Sequence, residues 1–216
     1  MKSVLDSSLW GIKKTKLAIC IPCRDFLHSA HASSLVELVK LNTNNGIETQ
    51  VFMNASTVLL QQREHLADQA VEYNSEYILW LDSDITFPSS TFLRLLAHKK
   101  DFVAANYVKR SPPLKGVAYT KMYDWNNPLS FDLQDELIKI EGIGMGCVLM
   151  KTEIFKKLQK PFFEFKYSSE SNDWLGEDMI LCEKIRSLNV DLYVDTHLSR
   201  DIRHLGTFAF SHSCLN

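Results

Sequence analysis

Tyr77-Ile78-Leu79-Trp80-Leu81-Asp82-Ser83-Asp84 is the stretch that decides the fold of this chain. Its first five residues are aromatic or aliphatic and are bounded by polar residues, which is typical of a short strand buried on both faces of a parallel sheet. Asp82 and Asp84 therefore follow the carboxyl end of that strand, where ligands bind in open α/β sheets. Two ionised carboxylates in a crevice repel each other, and a divalent cation is the simplest group to stabilise them.

The same two aspartates also have a structural explanation. Asp82 can form a turn at the end of the strand, and Asp84 can cap the helix that follows it. Ser89 and Ser90 are themselves suitable caps for that helix, so Asp84 is not needed there. The sequence favours a ligand-binding role for Asp84 and leaves the structural role open.

Composition restricts the class of protein. The chain has 216 residues, 45% of them hydrophobic, so we expect one domain over 1–216 with a sizeable core. Its net charge of −2 provides no basic field, so we expect no nucleic-acid partner. No apolar stretch approaches the ~20 residues of a membrane span, and the N-terminus lacks an apolar signal core, so we expect a cytoplasmic protein.

The five cysteines are scattered, which argues against a disulfide framework and fits a reducing compartment. Cys20 and Cys23 have the spacing of a redox dithiol. In redox sites such a pair opens a helix, whereas Cys20 ends an apolar strand. A buried Cys20 with Cys23 in a turn is the favoured interpretation, and a redox pair is the alternative.

Apolar periodicity in the first half predicts alternating strands and helices. Strands are expected over 17–21 (ended by Pro22), 48–53, 77–81 and 102–107, with helices over 29–41, 56–73 and 89–98. This order implies right-handed crossovers and an α/β fold with a mostly parallel sheet flanked by helices.

The second half has a different pattern. Residues 109–135 are rich in turn formers and are expected to form loops and edge strands over the crevice. Strands over 137–141, 147–150 and 191–194 and helices over 152–158 and 176–188 follow. The glycine-rich segment 142–146 predicts either a close backbone approach to a ligand or a tight hairpin.

These features make the chain resemble a known family. It is similar to small nucleotide-sugar-dependent glycosyltransferases of the GT-A fold, of the family-2-like type found in bacteria and phages. The resemblance rests on Ile21-Pro22-Cys23-Arg24 after the first strand, Arg63 on its helix, Leu81-Asp82-Ser83-Asp84, and Gly176-Glu177-Asp178 followed by His204-Leu205-Gly206. It implies a small additional sheet and loop region, a nucleotide-binding half over about 15–108 and an acceptor and catalytic half over about 109–216.

The resemblance implies a metal-dependent donor site. Asp84 would bind Mn²⁺ or Mg²⁺ at the two phosphates of the donor, with His204 as a further ligand. A purely structural His204 is the alternative, and His197 and His212 are weaker candidates for the ligand. Asp82 would contact the ribose or the water on the metal.

Further residues are assigned to the donor by the same resemblance. They are Pro22, Cys23 and Arg24 at the base and ribose, Arg63 and Ser83 in the nucleotide site, and Gly144 at the donor sugar. A surface ion pair is the plain alternative for Arg63.

The acceptor side is assigned to the Gly-Glu-Asp segment. By resemblance Asp178 is the general base for the acceptor hydroxyl and Glu177 hydrogen-bonds acceptor or donor sugar, although the two roles are interchangeable at this stage. Their plain alternative is to complement the dipole of a helix N-terminus. Trp174 would stack on an acceptor sugar, or be a core residue, and 168–174 would be a lid.

The implied function is transfer of a hexose from a nucleotide diphosphate sugar, with UDP-sugars first, to an acceptor hydroxyl on a glycan or another molecule. A nucleotidyltransferase is an alternative, although it favours a basic, glycine-rich phosphate loop that residues 20–25 lack. A non-catalytic module that binds nucleotide sugars or glycans is the other.

Overall fold

The computed structural model describes residues 15–110, 113–131, 135–169 and 172–206. The elements in chain order are β1 (Lys16–Cys23), α1 (Ser29–Asn44), β2 (Glu48–Ala55), α2 (Leu59–Glu72), β3 (Tyr77–Leu81), β4 (Ile85–Thr86), α3 (Thr91–Ala97), β5 (Phe102–Ala104), β6 (Ala118–Tyr119), β7 (Leu137–Ile140), β8 (Gly142–Ile143), β9 (Cys147–Lys151), α4 (Glu153–Lys157), β10 (Lys166–Ser168), β11 (Asp173–Leu175), α5 (Glu177–Ser187), β12 (Leu192–Asp195), α6 (Thr196–Ser199) and β13 (Arg203–His204).

Seven strands of the described residues form the central sheet, in the order β2-β1-β3-β9-β5-β12-β7. β2, β1, β3, β5 and β12 run in one direction, and β9 and β7 run against their neighbours. The inner strands β1 and β3 are buried on both faces, as their continuous apolar runs predict. The predicted α/β class with a mostly parallel sheet is confirmed, and three two-stranded sheets supply the predicted additional region.

The first strand is longer than predicted. Pro22 does not end it, because β1 continues to Cys23 alongside β2 after its pairing with β3 has stopped at Cys20. Pro22 is paired on one side only, opposite Asn54. The other side has no partner strand at this position, so the lack of an N–H in proline costs no ladder hydrogen bond there. The extension carries Pro22 and Cys23 beyond the end of β3, where Asp82-Ser83-Asp84 follow that strand. We call these three residues the D-x-D turn.

The glycine-rich segment is not a hairpin between its flanking strands. β7 pairs with β12, whereas β9 lies antiparallel between β3 and β5. The glycines make room for Tyr107: a Cβ at Gly146 would lie 2.7 Å from its ring, and one at Gly144 would lie 2.6 Å from its hydroxyl. The Gly146 N–H donates to the Tyr107 hydroxyl at 3.2 Å. The requirement for glycine is therefore at least partly one of packing.

Strands β4 and β13 join the D-x-D turn to the C-terminal segment. They pair antiparallel with His204 opposite Ile85, and the Leu205 N–H donates to the Asp84 carbonyl at 2.6 Å. From the other side, the buried His31 donates from Nδ1 to the Ile85 carbonyl at 2.9 Å. These bonds hold the backbone of Asp84 next to that of His204.

The helices settle two expectations about caps. Ser90 precedes α3 at the N-cap position, so Asp84 does not cap that helix. Gly176 is the N-cap of α5, and Glu177 and Asp178 form its first turn. Among the residues that the structure describes, no helix combines the length and apolar character needed to cross a membrane.

We expect Gly146→Ala to destabilise the fold by about 1–3 kcal/mol, the usual range for inserting a methyl group into a packed core. The cause would be the contact with the Tyr107 ring, which the backbone of β9 cannot relieve without moving. Urea unfolding of Gly146→Ala, Tyr107→Ala and the double variant measures the coupling between the two positions. An equal cost of Gly146→Ala with and without the tyrosine ring would show that this contact is not the reason for glycine.

Candidate active site

A cavity of about 330 Å³ lies at the carboxyl ends of β1 and β3, and we call it the D-x-D cavity. Its lining includes eight residues assigned from the sequence to the donor or metal: Pro22, Cys23, Arg24, Arg63, Asp82, Ser83, Asp84 and His204. Ser56, Thr57, Leu59, Gln62 and Arg110 complete it. Residues that are far apart in the sequence thus meet at one edge of the sheet.

A second cavity of about 320 Å³ contains the remaining candidates except Glu177, and we call it the Trp174 cavity. Gly144, Trp174 and Asp178 line it, together with Tyr107, Lys109, Val117, Tyr119, Trp125, Asp173, Leu175, Gly176 and Met179. Trp174 is 66% exposed and is not a core residue. Its ring meets Tyr167 edge to face across the β10–β11 pair, with centroids 5.6 Å apart. The predicted lid segment is thus the end of a hairpin, of which residues 170 and 171 lie outside the described ranges.

Arg63 connects the two carboxylate groups of the site. Its Nη2 lies 3.0 Å from Asp82 Oδ1 and its Nη1 lies 3.0 Å from Glu177 Oε1, while its side chain is only 4% exposed. Burial alone would lower the pKa of Arg63, but the charges of Asp82 and Glu177 outweigh burial and raise it. The surface ion-pair interpretation of Arg63 is therefore wrong, because this guanidinium is a buried link between β3 and α5.

Asp178 is a half-buried carboxylate that lines the Trp174 cavity. Burial, followed by the charge of Glu177, raises the pKa of Asp178 to about 6, against the opposing effect of Arg63. A carboxylate with a pKa near neutrality can accept a proton and release it again at physiological pH. Glu177 lines neither cavity and bonds to Arg63, so the structure separates the two residues that the sequence left interchangeable.

The two oxygens of Asp84 have different neighbours. Oδ1 lies 3.5 Å from His204 Nε2, and Oδ2 lies 2.9 Å from Arg110 Nη1. Burial would raise the pKa of Asp84, but the hydrogen bond to His204 and the charge of Arg110 outweigh it and lower the pKa. Asp84 is therefore an ionised carboxylate at the mouth of the D-x-D cavity.

His204 has the orientation of a metal-ligating imidazole. Its Nδ1 is 2.9 Å from the Val108 carbonyl, which can only accept, so Nδ1 carries a hydrogen. Burial would lower the pKa of His204, but the hydrogen bonds to Asp84 and to Val108 outweigh it and raise the pKa. Loss of the Nε2 proton would free the lone pair that a metal needs, on the atom directed at Asp84. An imidazole nitrogen beside a carboxylate oxygen suits Mn²⁺ and fits Mg²⁺ less closely, so these residues fit the implied metal.

Another group of potential metal ligands was not predicted. Single ligand atoms of His98, Glu136 and Asp195 lie within 4.8 Å of one another, on the β12–β7 side of the sheet. Asp195 already accepts from the Leu198 N–H at 2.6 Å as the cap of α6 and contacts His98 Nε2 at 3.0 Å. This group has a structural task whether or not it binds an ion.

His197 and His212 are the alternative histidines for a metal ligand in the D-x-D cavity. His197 is exposed on α6 and does not line it, and His212 lies outside the described residues.

Two other residues of the site, Tyr107 and Arg110, were not predicted from the sequence. Tyr107 lines the Trp174 cavity and packs edge to face on His204, with centroids 5.3 Å apart. Its place just after β5, at the carboxyl edge of the sheet, is the signal that could have identified it.

The redox alternative for Cys20 and Cys23 has no support in the structure. Cys20 is fully buried within β1, and burial raises the pKa of its thiol well above the usual range. Burial also raises the pKa of Cys23, so neither thiol has the low pKa of a reactive pair. Cys23 contributes to the lining of the D-x-D cavity instead.

No described protein family and no curated protein sequence matches this chain. Solved structures do match. Protein A197 from STIV aligns over 91% of this chain and 97% of its own, with a TM-score of 0.55 and 17% identity. A Drosophila β1,4-galactosyltransferase 7 variant, in complex with manganese, UDP-galactose and xylobiose, aligns over 93% of this chain and 79% of its own, with a TM-score of 0.50 and 13% identity. The chain therefore shares its fold, the predicted GT-A type, with this galactosyltransferase. At these identities the likeness concerns the fold alone.

We expect Arg63→Ala to destabilise the protein by about 3–5 kcal/mol, because it leaves the buried Glu177 and the partly exposed Asp82 without their cation. Arg94→Ala is the matched control: its guanidinium forms an ion pair with Asp201 at 2.6 Å and is 31% exposed, so its loss should cost no more than about 1 kcal/mol. Urea unfolding at neutral pH compares the two. Equal costs would contradict the view that Arg63 holds the site together.

Proposed function

We propose that this chain is a metal-dependent glycosyltransferase that moves a hexose from a nucleotide diphosphate sugar to a hydroxyl group, for example of a glycan. The observation that carries the proposal is the D-x-D cavity, in which Asp84, His204 and Arg63 meet at the carboxyl edge of a GT-A sheet. UDP-sugars are the first candidates for the donor, because the galactosyltransferase of the same fold was solved with UDP-galactose and manganese.

Asp84 and His204 would hold the metal, Mn²⁺ or Mg²⁺, through a carboxylate oxygen and Nε2. The bound ion supplies Lewis-acid stabilisation of the negative charge that develops on the departing nucleoside diphosphate. Asp82 keeps its bond to Arg63 and offers its other oxygen to the ribose or to a water of the metal. The Val108 carbonyl fixes the imidazole of His204 in the required orientation.

The rest of the D-x-D cavity would bind the nucleotide. Pro22, Cys23 and Arg24 extend past the end of β3 and offer backbone and side-chain contacts to the base and ribose. Ser83 lies between the two aspartates and lines the same cavity. We assign about 15–108 to nucleotide binding and about 109–216 to the acceptor and to catalysis.

Asp178 would act as the general base, because it faces the Trp174 cavity and has a raised pKa. It removes the proton of the acceptor hydroxyl as that oxygen attacks the anomeric carbon. Glu177 holds Arg63 and thereby positions the start of α5. Trp174 offers an exposed aromatic face for stacking on a sugar, and Gly144 brings backbone close to the same space.

We expect turnover of at least one nucleotide sugar with Mn²⁺, and a fall of about 10²–10³-fold or more in kcat for Asp84→Ala, the scale seen when a group that stabilises developing charge is removed. The measurement screens UDP-, GDP-, ADP- and dTDP-sugars with a mixture of saccharide acceptors and detects the released nucleoside diphosphate. Asp191→Ala is a matched control, since that exposed aspartate pairs with Lys139 away from both cavities.

The screen separates the proposal from its alternatives by product. Release of pyrophosphate from a nucleoside triphosphate, without nucleoside diphosphate from any sugar donor, would indicate a nucleotidyltransferase. Donor binding without product over the full acceptor set would indicate a binding module. Undiminished turnover by Asp84→Ala would remove that residue from the mechanism.

The general base can be identified by its pH dependence. Asp178 acts only when ionised, so kcat/KM should be constant above its pKa of about 6 and fall tenfold per pH unit below it. Its charged neighbours are Glu177, Arg63 and Asp82. Asp178→Asn should lower kcat by about 10²–10⁴-fold and abolish this limb, whereas Glu177→Gln should keep it. Profiles are measured at saturating metal, and the reverse pattern would make Glu177 the base.

A further inference from the structure

Arg110 occupies one oxygen of the carboxylate to which we assign the metal. Its Nη1 lies 2.9 Å from Asp84 Oδ2 and donates to the Leu205 carbonyl at 3.2 Å. Its stem also crosses the segment near Gly206, where a Cβ would lie 3.2 Å from Arg110 Cδ. A guanidinium and the Asp84–His204 pair thus share one small region of the D-x-D cavity.

A divalent cation at Asp84 and the guanidinium of Arg110 would repel each other, because both are positively charged. They would also compete for the same carboxylate. Arg110 can move away from this contact more easily than Asp84 can. The side chain of Arg110 is 50% exposed, so moving it into water costs little, whereas Asp84 is fixed by the pairing of β4 with β13. Metal binding would therefore displace Arg110 and leave Asp84 in place.

The backbone keeps Arg110 beside the cavity after such a displacement. The preceding residue is held to the rest of the fold, because the Lys109 N–H donates to the Lys115 carbonyl at 2.9 Å and Val108 bridges Gly116. Only the side chain needs to turn. A guanidinium can donate two parallel N–H hydrogen bonds to the oxygens of a phosphate. A metal bound to the neighbouring carboxylate would favour this contact with phosphate further.

We propose that Arg110 neutralises Asp84 before the metal arrives and then binds the diphosphate of the donor. This inference rests on the proposed function, because it requires a metal at Asp84 and a diphosphate in the D-x-D cavity. It has a thermodynamic consequence. Metal alone must break the Arg110–Asp84 pair, whereas metal with diphosphate gives Arg110 a new partner, so the two ligands bind cooperatively and each raises the affinity for the other by the same factor.

The first test is calorimetric titration with Mn²⁺ alone. Arg110→Ala should bind Mn²⁺ roughly two- to five-fold more tightly than the wild type, the factor that corresponds to loss of a partly exposed ion pair. Arg110→Lys retains the charge and should stay close to the wild type. Arg24→Ala is the matched control, because it removes a cation that lines the same cavity but forms its ion pair with Asp25. Asp84→Ala should lose most of the affinity.

The second test is titration with UDP and with inorganic pyrophosphate, each with and without saturating Mn²⁺. With Mn²⁺ present, Arg110→Ala should bind both probes about tenfold more weakly, because it lacks charge-assisted hydrogen bonds to the phosphates. Arg110→Lys should lie between the two proteins. The factor by which Mn²⁺ improves UDP binding should be smaller in Arg110→Ala than in the wild type.

The outcomes distinguish this inference from the proposed function. Equal or weaker Mn²⁺ binding by Arg110→Ala, or an equal gain in Arg24→Ala, would overturn the competition at Asp84. Unchanged affinity of Arg110→Ala for both diphosphate probes would overturn the second role. Unchanged Mn²⁺ affinity in Asp84→Ala, or no Mn²⁺ binding by the wild type with or without UDP, would overturn the metal site and with it this inference. Thermal melts confirm that each variant is folded.

Discussion

The candidate site depends on one buried guanidinium. Withdrawing a charge from water costs several kcal/mol unless it is paired, and the Arg63 side chain is only 4% exposed. Asp82 and Glu177 supply the pairing from the end of β3 and the start of α5. Because a guanidinium donates to two such partners only in fixed directions, the ion triad sets the position of α5 relative to the D-x-D turn. The helix that carries Asp178 is therefore placed by charge as well as by apolar contact.

The triad also divides the two aspartates of the D-x-D motif. Asp82 is bonded to Arg63, and breaking that bond would leave a buried charge unpaired, so the bonded oxygen of Asp82 is not available to exchange ligands. Asp84 instead faces His204 and the half-exposed Arg110, and the fold does not depend on the contact of either side chain with Asp84. A carboxylate that exchanges ligands needs partners that can move away, as those of Asp84 can. The two arginine partners differ in burial, since the side chain of Arg63 is 4% exposed and that of Arg110 is 50% exposed. This difference gives a physical reason for assigning the metal to Asp84 and a fixed contact to Asp82.

Much of this arrangement was predictable because it is encoded locally. The apolar run that ends in Asp82 fixes both the strand and the edge at which the acids appear, and the helix start at Gly176 places Asp178 in a first turn. What could not be read locally is which strand lies beside which. The position of β9 between β3 and β5, and of β13 beside β4, depends on the burial of faces supplied by distant segments. Hence Tyr107 and Arg110, whose partners come from those segments, were missed, although eight of the candidate residues share one cavity.

The same triad bears on the proton affinity of the site. Burial is the main cause of the raised pKa of Asp178, and the charge of Glu177 adds to it, while Arg63 acts in the opposite direction. One cation shared between two carboxylates leaves a net negative cluster beside Asp178. The charge of Glu177 raises the pKa of Asp178 and that of Arg63 lowers it, so the two act against each other at this carboxyl. Since general bases work best with a pKa near the working pH, Arg63, which fixes the geometry of the candidate site, would also adjust the strength of the base that we propose.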